Sequence, residues 1–180
     1  MSRLDGDVVA AARHVLGRRL RSTIGGDVCE VLILEVEAYG GVDDPASHAA
    51  SGRTRRNASM FAAAGTLYVY RSYGIHWCMN VVTGVAGEPA AVLLRGGLPL
   101  SGLETMERRR SRRDHLTDGP GKLAQALGVT GVHDGLDLHG GGPVQLLAVE
   151  PVSAVVEASP RIGISLATER LWRFRLTTED

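Results

Sequence analysis

The sequence predicts a single α+β domain, residues 1–180, with a curved, mainly antiparallel sheet flanked by short helices. Three observations lead to this fold class. The chain has 180 residues, 44% of them hydrophobic, which is enough for one sizeable core. Short β-branched runs are separated by glycine-bearing turns, as in antiparallel meanders. Three short segments with helical features lie among these runs, with no repeat, linker or low-complexity tract.

The first part of the chain predicts one helix and one strand. Residues 5–20 have apolar residues at helical spacing, with Asp5 near the start and Gly17 weakening the end. Residues 28–39 alternate as a strand does. Its two predicted faces are Leu32, Leu34, Val36 and Ala38 on one side, and Ile33, Glu35, Glu37 and Tyr39 on the other. Residues 40–65 predict a long loop with one helical turn near Met60, and loops of this length are often functional.

The remaining elements follow from turn and capping patterns. Residues 66–72, 78–83 and 90–96 predict a three-stranded meander, with Leu93 and Arg95 on one face. Ser101 and Glu104 predict a capping box that opens a helix containing five arginines between 108 and 113. Residues 121–127 predict a second short helix that ends at Gly128. Strands are expected at 144–150, 152–157 and 171–176.

Composition narrows the class of protein. Lys+Arg and Asp+Glu both number 20, so any affinity for nucleic acid must come from a local basic patch. Cys29 and Cys78 are too few for a disulfide framework or a four-ligand zinc site, and we expect both to be reduced and buried. No signal-peptide pattern and no apolar run of about 20 residues is present. We therefore expect a soluble, cytoplasmic protein that does not bind membranes.

Aromatic residues cluster in one part of the sequence. Six of the eight fall between positions 39 and 77, near carboxylates and arginines: Tyr39, Phe61, Tyr68, Tyr70, Tyr73 and Trp77. For the predicted strand at 66–72, packing of aromatic rings against a neighbouring strand is the ordinary explanation of the tyrosines. Tyrosine faces and hydroxyls also suit a flat, polar, heterocyclic ligand, because bases stack on aromatic rings.

Several other patterns leave alternatives open. Glu37 beside Tyr39 suits a general base, although exposed glutamate pairs are more common. Asp43, Asp44 and His48 lack a further ligand at metal spacing, so we expect no metal. Residues 118–123 lack the Ser or Thr of a phosphate-binding P-loop, but their turn and Lys122 could still contact one phosphate. The arginines of 108–113 fit a solvated helix face or phosphate contacts equally well.

Taken together, these segments resemble the alkyladenine (3-methyladenine, or methylpurine) DNA glycosylase family over nearly the whole chain. The resemblance is weakest over the first 20 residues and the last strand. The matching motifs are Glu35-Val36-Glu37-Ala38-Tyr39, His48, Arg56-Asn57, Met60-Phe61, residues 65–70, Tyr73-Gly74, Cys78-Met79-Asn80, residues 92–95, residues 102–106, residues 119–123 and Arg161-Ile162-Gly163.

The resemblance implies a monomeric hydrolase without a cofactor, which binds double-stranded DNA and flips a damaged purine into a pocket. Glu37 matches the general base that activates water, and Arg95 matches a residue near that water and the DNA backbone. Tyr73 matches the intercalating wedge. The residues that match the base pocket are Tyr39, His48, Tyr70, Asn80 and Leu93, with Asn80 discriminating against guanine. Those that match backbone contacts are Arg53, Arg56, Gly121 and Lys122.

The single lysine predicts the reaction type. A bifunctional glycosylase needs an amine for a Schiff base, and Lys122 lies in the glycine-rich turn that the resemblance assigns to DNA contact. We therefore expect a monofunctional enzyme that leaves an abasic site. Two alternatives are a non-catalytic DNA-binding module on the same tyrosine and arginine surface, and a nucleotide-handling enzyme that uses residues 119–123.

Overall fold

A computed structural model describes residues 4–147 and 155–177. Within these ranges the helices are α1 (Val8–Val15), α2 (Leu103–Arg110) and α3 (Pro120–Leu127). The strands are β1 (Arg19–Ser22), β2 (Cys29–Tyr39), β3 (Leu67–Ser72), β4 (His76–Thr83), β5 (Ala90–Ser101), β6 (Val144–Leu147), β7 (Val155–Ser159) and β8 (Arg173–Thr177). Short 3₁₀ turns occur at Ile24–Gly26, Gly41–Asp43, Ala58–Phe61 and Gly131–His133.

All of these strands belong to one curled antiparallel sheet. Its order is β3-β4-β5-β2-β1-β6, and β8 pairs with β2 beyond the end of β1, with β7 on the outer side of β8. The helices pack over this sheet, and the main core includes buried residues of α1, α3 and the central strands. The predicted α+β class with a mainly antiparallel sheet is therefore confirmed.

Strand β2 contains an irregularity that the alternation pattern does not predict. Its register against β5 shifts on both sides of Glu35, where Ile33 pairs with Gly97 and Glu35 with Gly96. An extra residue reverses the side-chain alternation at a bulge. Ile33 therefore lies in the core with Val36 and Ala38. The prediction that Ile33 shares a face with Glu35 is wrong, because periodicity alone cannot locate a bulge.

The first predicted helix is too long. It ends at Val15, and Gly17 adopts a left-handed φ of 74° that redirects the chain into strand β1. The amide of Gly17 donates to the carbonyl of Ile33, which joins this turn to β2. Asp7, and not Asp5, caps the helix by accepting a hydrogen bond from the amide of Ala10 at 2.9 Å.

The predicted capping box at Ser101 is wrong, although helix α2 forms. Ser101 is the last residue of β5, which continues past the predicted end at Gly96 because its pairing with β2 extends to Glu30. Gly102 occupies the cap position with left-handed backbone angles and no side-chain hydrogen bond. A Cβ there would lie 2.4 Å from the carbonyl oxygen of Val28, so only glycine fits.

The later elements agree with the predictions in type and differ at their ends. Helix α3 begins at Pro120 and ends before Gly128, whose left-handed φ of 74° terminates it. For the predicted strands 144–150 and 152–157, residues 148–154 lie outside the described residues, and the described parts are β6 and β7. Phe174 of β8 is fully packed in the core. Cys29 and Cys78 are free and buried, as predicted.

No helix in the described parts of the chain has the length and apolar character needed to cross a membrane.

Candidate active site

A cleft of about 550 Å³ opens where strands β2 to β5 meet the start of α3 and the segment after β7. This volume falls within the range of small-molecule sites. The cleft is lined by Tyr39, Ala46, His48, Arg56, Met60, Tyr68, Tyr70, Ser72, Tyr73, Cys78, Asn80, Ala91, Leu93, Arg95, Pro120, Ile162, Gly163 and Ile164. Eight residues predicted from the sequence are therefore brought together around one space.

The predicted base, Glu37, is fully buried and contacts three residues that line the cleft. Its Oε2 accepts a hydrogen bond from the hydroxyl of Tyr39 at 2.9 Å and lies 3.3 Å from Nη1 of Arg95. Its Oε1 accepts a hydrogen bond from the backbone amide of Ile162 at 2.8 Å. Hydrogen-bond donors of residues that line the cleft therefore orient both oxygens of the Glu37 carboxylate.

Arg95 links Glu37 to a second carboxylate. Its Nε donates to Glu35 at 2.9 Å, and Nε of Arg173 donates to the same oxygen at 2.7 Å. Burial raises the pKa of Glu35, but the hydrogen bonds from Arg173 and Arg95 outweigh it, so the pKa lies below its ordinary value. Alternating charges therefore fix Arg95 between two carboxylates and restrict its rotamers.

The aromatic side chains of the cleft contact one another. The His48 ring meets the Tyr70 ring edge-on at 4.4 Å, and its Nδ1 lies 3.0 Å from the hydroxyl of Tyr68. Desolvation and the nearby charge of Arg56 lower the pKa of His48, which favours the neutral imidazole. Burial raises the pKa of Tyr68 to about 12 and also raises those of Tyr39 and Tyr70, so all three hydroxyls stay protonated.

Asn80 and Leu93 form part of the inner wall, as neighbours on paired strands. They are directly opposite each other on β4 and β5. The Asn80 amide donates to the carbonyl of Tyr68 at 3.0 Å, which fixes its orientation. Both residues are buried and line the cleft, so they can contact a ligand that enters it.

Tyr73 lies in the turn between β3 and β4, at the rim of the cleft. Its side chain is 88% exposed, and its backbone has a left-handed φ of 49°. This conformation costs a non-glycine residue roughly 1–2 kcal/mol. An exposed aromatic ring in a strained turn makes no contribution to the core, and its position suits contact with a partner.

Of the four residues predicted to contact the DNA backbone, one lines the cleft. Arg56 lines it and donates to the carbonyl of Arg71. Arg53 lies over the Phe61 ring at 5.6 Å, outside the lining. Lys122 is on α3 and lies 3.0 Å from Asp118, and Gly121 packs so tightly on His76 that a Cβ would be 2.8 Å away.

The arginine run on α2 is mostly engaged within the protein. Arg108 pairs with Asp27 at 2.6 Å, and Arg109 donates to the carbonyls of Ile24 and Ala126. Arg110 donates to Gln125 of α3. Arg108, Arg109 and Arg110 therefore join α2 to its neighbours, whereas Arg112 and Arg113 at the end of the run are exposed.

A buried ion pair lies beside the site, and sequence patterns did not predict it. Arg161 donates two hydrogen bonds to Asp44, at 2.5 and 2.9 Å, and a third to the carbonyl of Ala38. Burial raises the pKa of Asp44, but Arg161 and two backbone amides hold it below its ordinary value. The partners are 117 residues apart, and the only indication in the sequence was the Arg161-Ile162-Gly163 motif of the resemblance.

Comparisons with known proteins show the family to which this sequence is similar. The sequence profile of the family described as Methylpurine-DNA glycosylase (MPG) matches residues 2–180. Proteins named "Putative 3-methyladenine DNA glycosylase" are similar to this chain in several bacteria. The protein of Rhodopseudomonas palustris is 52% identical over 81% of this chain and 72% of its own length. That of Frankia casuarinae is 44% identical over 97% and 87%, and that of Chlamydia pneumoniae 42% over 98% and 93%.

Proposed function

Because the chain belongs to the methylpurine-DNA glycosylase family, whose members hydrolyse N-glycosyl bonds in DNA, we propose that Glu37 is the general base of this reaction. The observation that supports this most strongly is the contact of its buried carboxylate with Tyr39, Arg95 and the Ile162 amide at the cleft. We further propose that residues 1–180 act as one monomeric glycosylase domain.

The substrate in this proposal is double-stranded DNA that contains an alkylated or otherwise damaged purine. The base leaves the stack and enters the cleft, where Tyr39, His48 and Tyr70 contact its faces and edge. Unstacking a base costs a few kcal/mol, and this cost is lowest for damaged or mispaired bases. The contacts in the cleft offset the cost and therefore add selectivity for such bases. An alkylated purine with positive charge gains further attraction to aromatic rings.

Hydrolysis then requires one water and one base. The water oxygen forms a bond to C1′ while the C1′–N bond breaks, its proton passes to Glu37, and the cationic purine leaves as a neutral base. Because Glu37 is fully buried in the free protein, DNA binding must admit the water between its carboxylate and the cleft. Arg95 stays close to both the carboxylate and the cleft, where its charge orients the water and a nearby phosphate.

Selectivity and DNA binding use the surrounding residues. Asn80 discriminates against the exocyclic amine of guanine, and Leu93 forms a small apolar part of the pocket wall. Tyr73 fills the space that the flipped nucleotide leaves. Arg53, Arg56, Gly121 and Lys122 contact the backbone, which fixes orientation and gives no sequence preference.

The reaction ends at an abasic site. This proposal is supported by Lys122, the single lysine of the chain, which is paired with Asp118 and is not among the residues that line the cleft. Borohydride should therefore trap no covalent adduct with DNA. A trapped adduct would contradict a monofunctional reaction.

Mass spectrometry of the bases released from methylated duplex DNA tests the proposed function. We expect free alkylated purines and no loss of normal pyrimidines. Tight binding to damaged duplex with no base released would instead indicate a DNA-binding module. Affinity for free nucleotides without release would favour a nucleotide-handling enzyme built on residues 119–123.

A further inference from the structure

Residues 161–170, which we call the strap, are fastened at both ends to one buried carboxylate. Arg161 makes a bidentate pair with Asp44, and Nη1 of Arg170 lies 3.6 Å from the same side chain. The Asp44 side chain has no exposed surface, and the amides of Gly40 and Ala46 also donate to it. Its oxygens therefore accept four hydrogen bonds, two from Arg161 and two from backbone amides, and Arg170 adds a longer ion-pair contact.

The ring of Trp172 reinforces this arrangement. The guanidinium of Arg161 lies 5.2 Å from its centroid, and that of Arg170 lies 4.7 Å away. Arg161 also lies 4.7 Å from the ring of Tyr39, which lines the cleft. The two arginines that hold the strap thus share an aromatic partner, and Arg161 also contacts the cleft through Tyr39.

The middle of the strap is much less tightly held than its ends. Within the described parts of the chain, the hydrogen bonds that join it to the rest of the protein lie at Arg161, Ile162 and Arg170. Gly163 and Ala167 have left-handed φ values of 76° and 52°. Fixing both ends on Asp44 therefore decides where the intervening residues lie.

The strap supplies two parts of the proposed active site. The amide of Ile162 donates to Oε1 of Glu37 at 2.8 Å. Ile162, Gly163 and Ile164 form one wall of the cleft. Ile162 is the residue directly after Arg161, so a shift of the guanidinium moves both the donor on Glu37 and the wall.

We propose that Asp44 is a positioning residue for base excision. By holding Arg161 and Arg170 it places the Ile162 amide on Glu37 and closes the strap against the cleft. Asp44 itself touches neither DNA nor water. This inference rests on the proposed role of Glu37 and adds a residue that acts through the strap.

The D44N variant tests it, with D43N as a matched control. The introduced asparagine would direct an amide N–H at the guanidinium of Arg161 and keep one acceptor, which loosens the strap. Asp43 has an exposed side chain one position away, so D43N makes the same change of charge and leaves the Asp44 contacts intact. A displacement of about 1 Å at a reacting group can lower the rate about 10²-fold.

We expect the single-turnover excision rate of D44N to fall by about that factor, while its KM and its affinity for undamaged duplex stay close to those of the wild type. Hydrogen exchange should be faster in a peptide that covers the strap, since the Ile162 amide loses its fixed acceptor. D43N should match the wild type in both measurements. If D44N does not fold, R170A replaces it in the same rate and exchange measurements. Arg170 is partly exposed, so its replacement should disturb the fold less.

Three outcomes would overturn the proposal. D44N could excise at the wild-type rate, it could match D43N in rate, or it could lose activity and thermal stability with the strap still as protected as in the wild type. The last outcome would indicate a structural role alone. Wild-type excision, measured alongside, tests the proposed function separately. If the wild type released no base, the exchange measurement would still test the effect of Asp44 on the strap.

Discussion

Replacement of Tyr73 by alanine should weaken recognition of DNA without weakening the fold. The side chain is 88% exposed and lies outside the core, so its removal should change the free energy of unfolding by no more than about 0.5 kcal/mol. In the complex, the ring is expected to stack in the space left by the flipped base. Stacking contributes roughly 1–3 kcal/mol per base, which corresponds to a loss of about 5- to 160-fold in affinity or excision.

Single-turnover excision and fluorescence anisotropy on one damaged duplex measure this loss. The Y73F variant keeps the ring and loses only the hydroxyl, so it should retain most of the activity. Neither variant removes a charge, and the slope of affinity against salt concentration should therefore stay unchanged. Wild-type affinity and excision by Y73A would refute the proposed wedge. A large drop in the melting temperature of Y73A would refute the view that Tyr73 contributes nothing to the core.

Two further predictions concern charged residues. K122A should reduce the slope of log affinity against log salt by about one, because one phosphate contact is lost. An unchanged slope would remove Lys122 from the DNA interface. R112A tests in the same way whether the exposed end of the arginine run contacts DNA. The pKa of Glu35 lies below its ordinary value of 4.5, so the unfolded chain takes up this proton first as pH falls. The contribution of Glu35 to stability should therefore be complete above pH 4.5 and decline below it, and midpoints of urea unfolding would show this decline. E35Q should flatten the decline, whereas the control E104Q, at an exposed position, should not.

The sequence predicted the parts of the fold that depend on local patterns. The strands β2 to β5 follow from alternation and turn residues that lie close together in the chain. The face of Ile33 was missed because it depends on a bulge opposite Gly97, where a Cβ would lie 2.7 Å from the carbonyl oxygen of Leu32. Such a close approach between strands leaves no periodic trace in either one.

In the site, too, contacts between residues close in the chain could be predicted, and contacts between distant residues could not. Tyr39 and Glu37 were placed on one face by their spacing, and a hydrogen bond now joins them. Arg173 pairs with Glu35 across 138 residues, and Arg161 with Asp44 across 117. No spacing rule links residues so far apart, because their contact is set by how the sheet curls. Asp44 was considered only as a metal ligand for that reason.

The role of Glu37 as the base is tested most directly by the single-turnover rate of E37Q on alkylated duplex DNA, measured with its affinity for the same duplex. The glutamine keeps the size of the side chain and an acceptor for the Ile162 amide, and it removes the ability to take a proton from water. General-base catalysis contributes about 10²- to 10⁴-fold, so release should fall by that factor while binding stays nearly unchanged. Release of the base at the wild-type rate would contradict the assignment of Glu37 as the base.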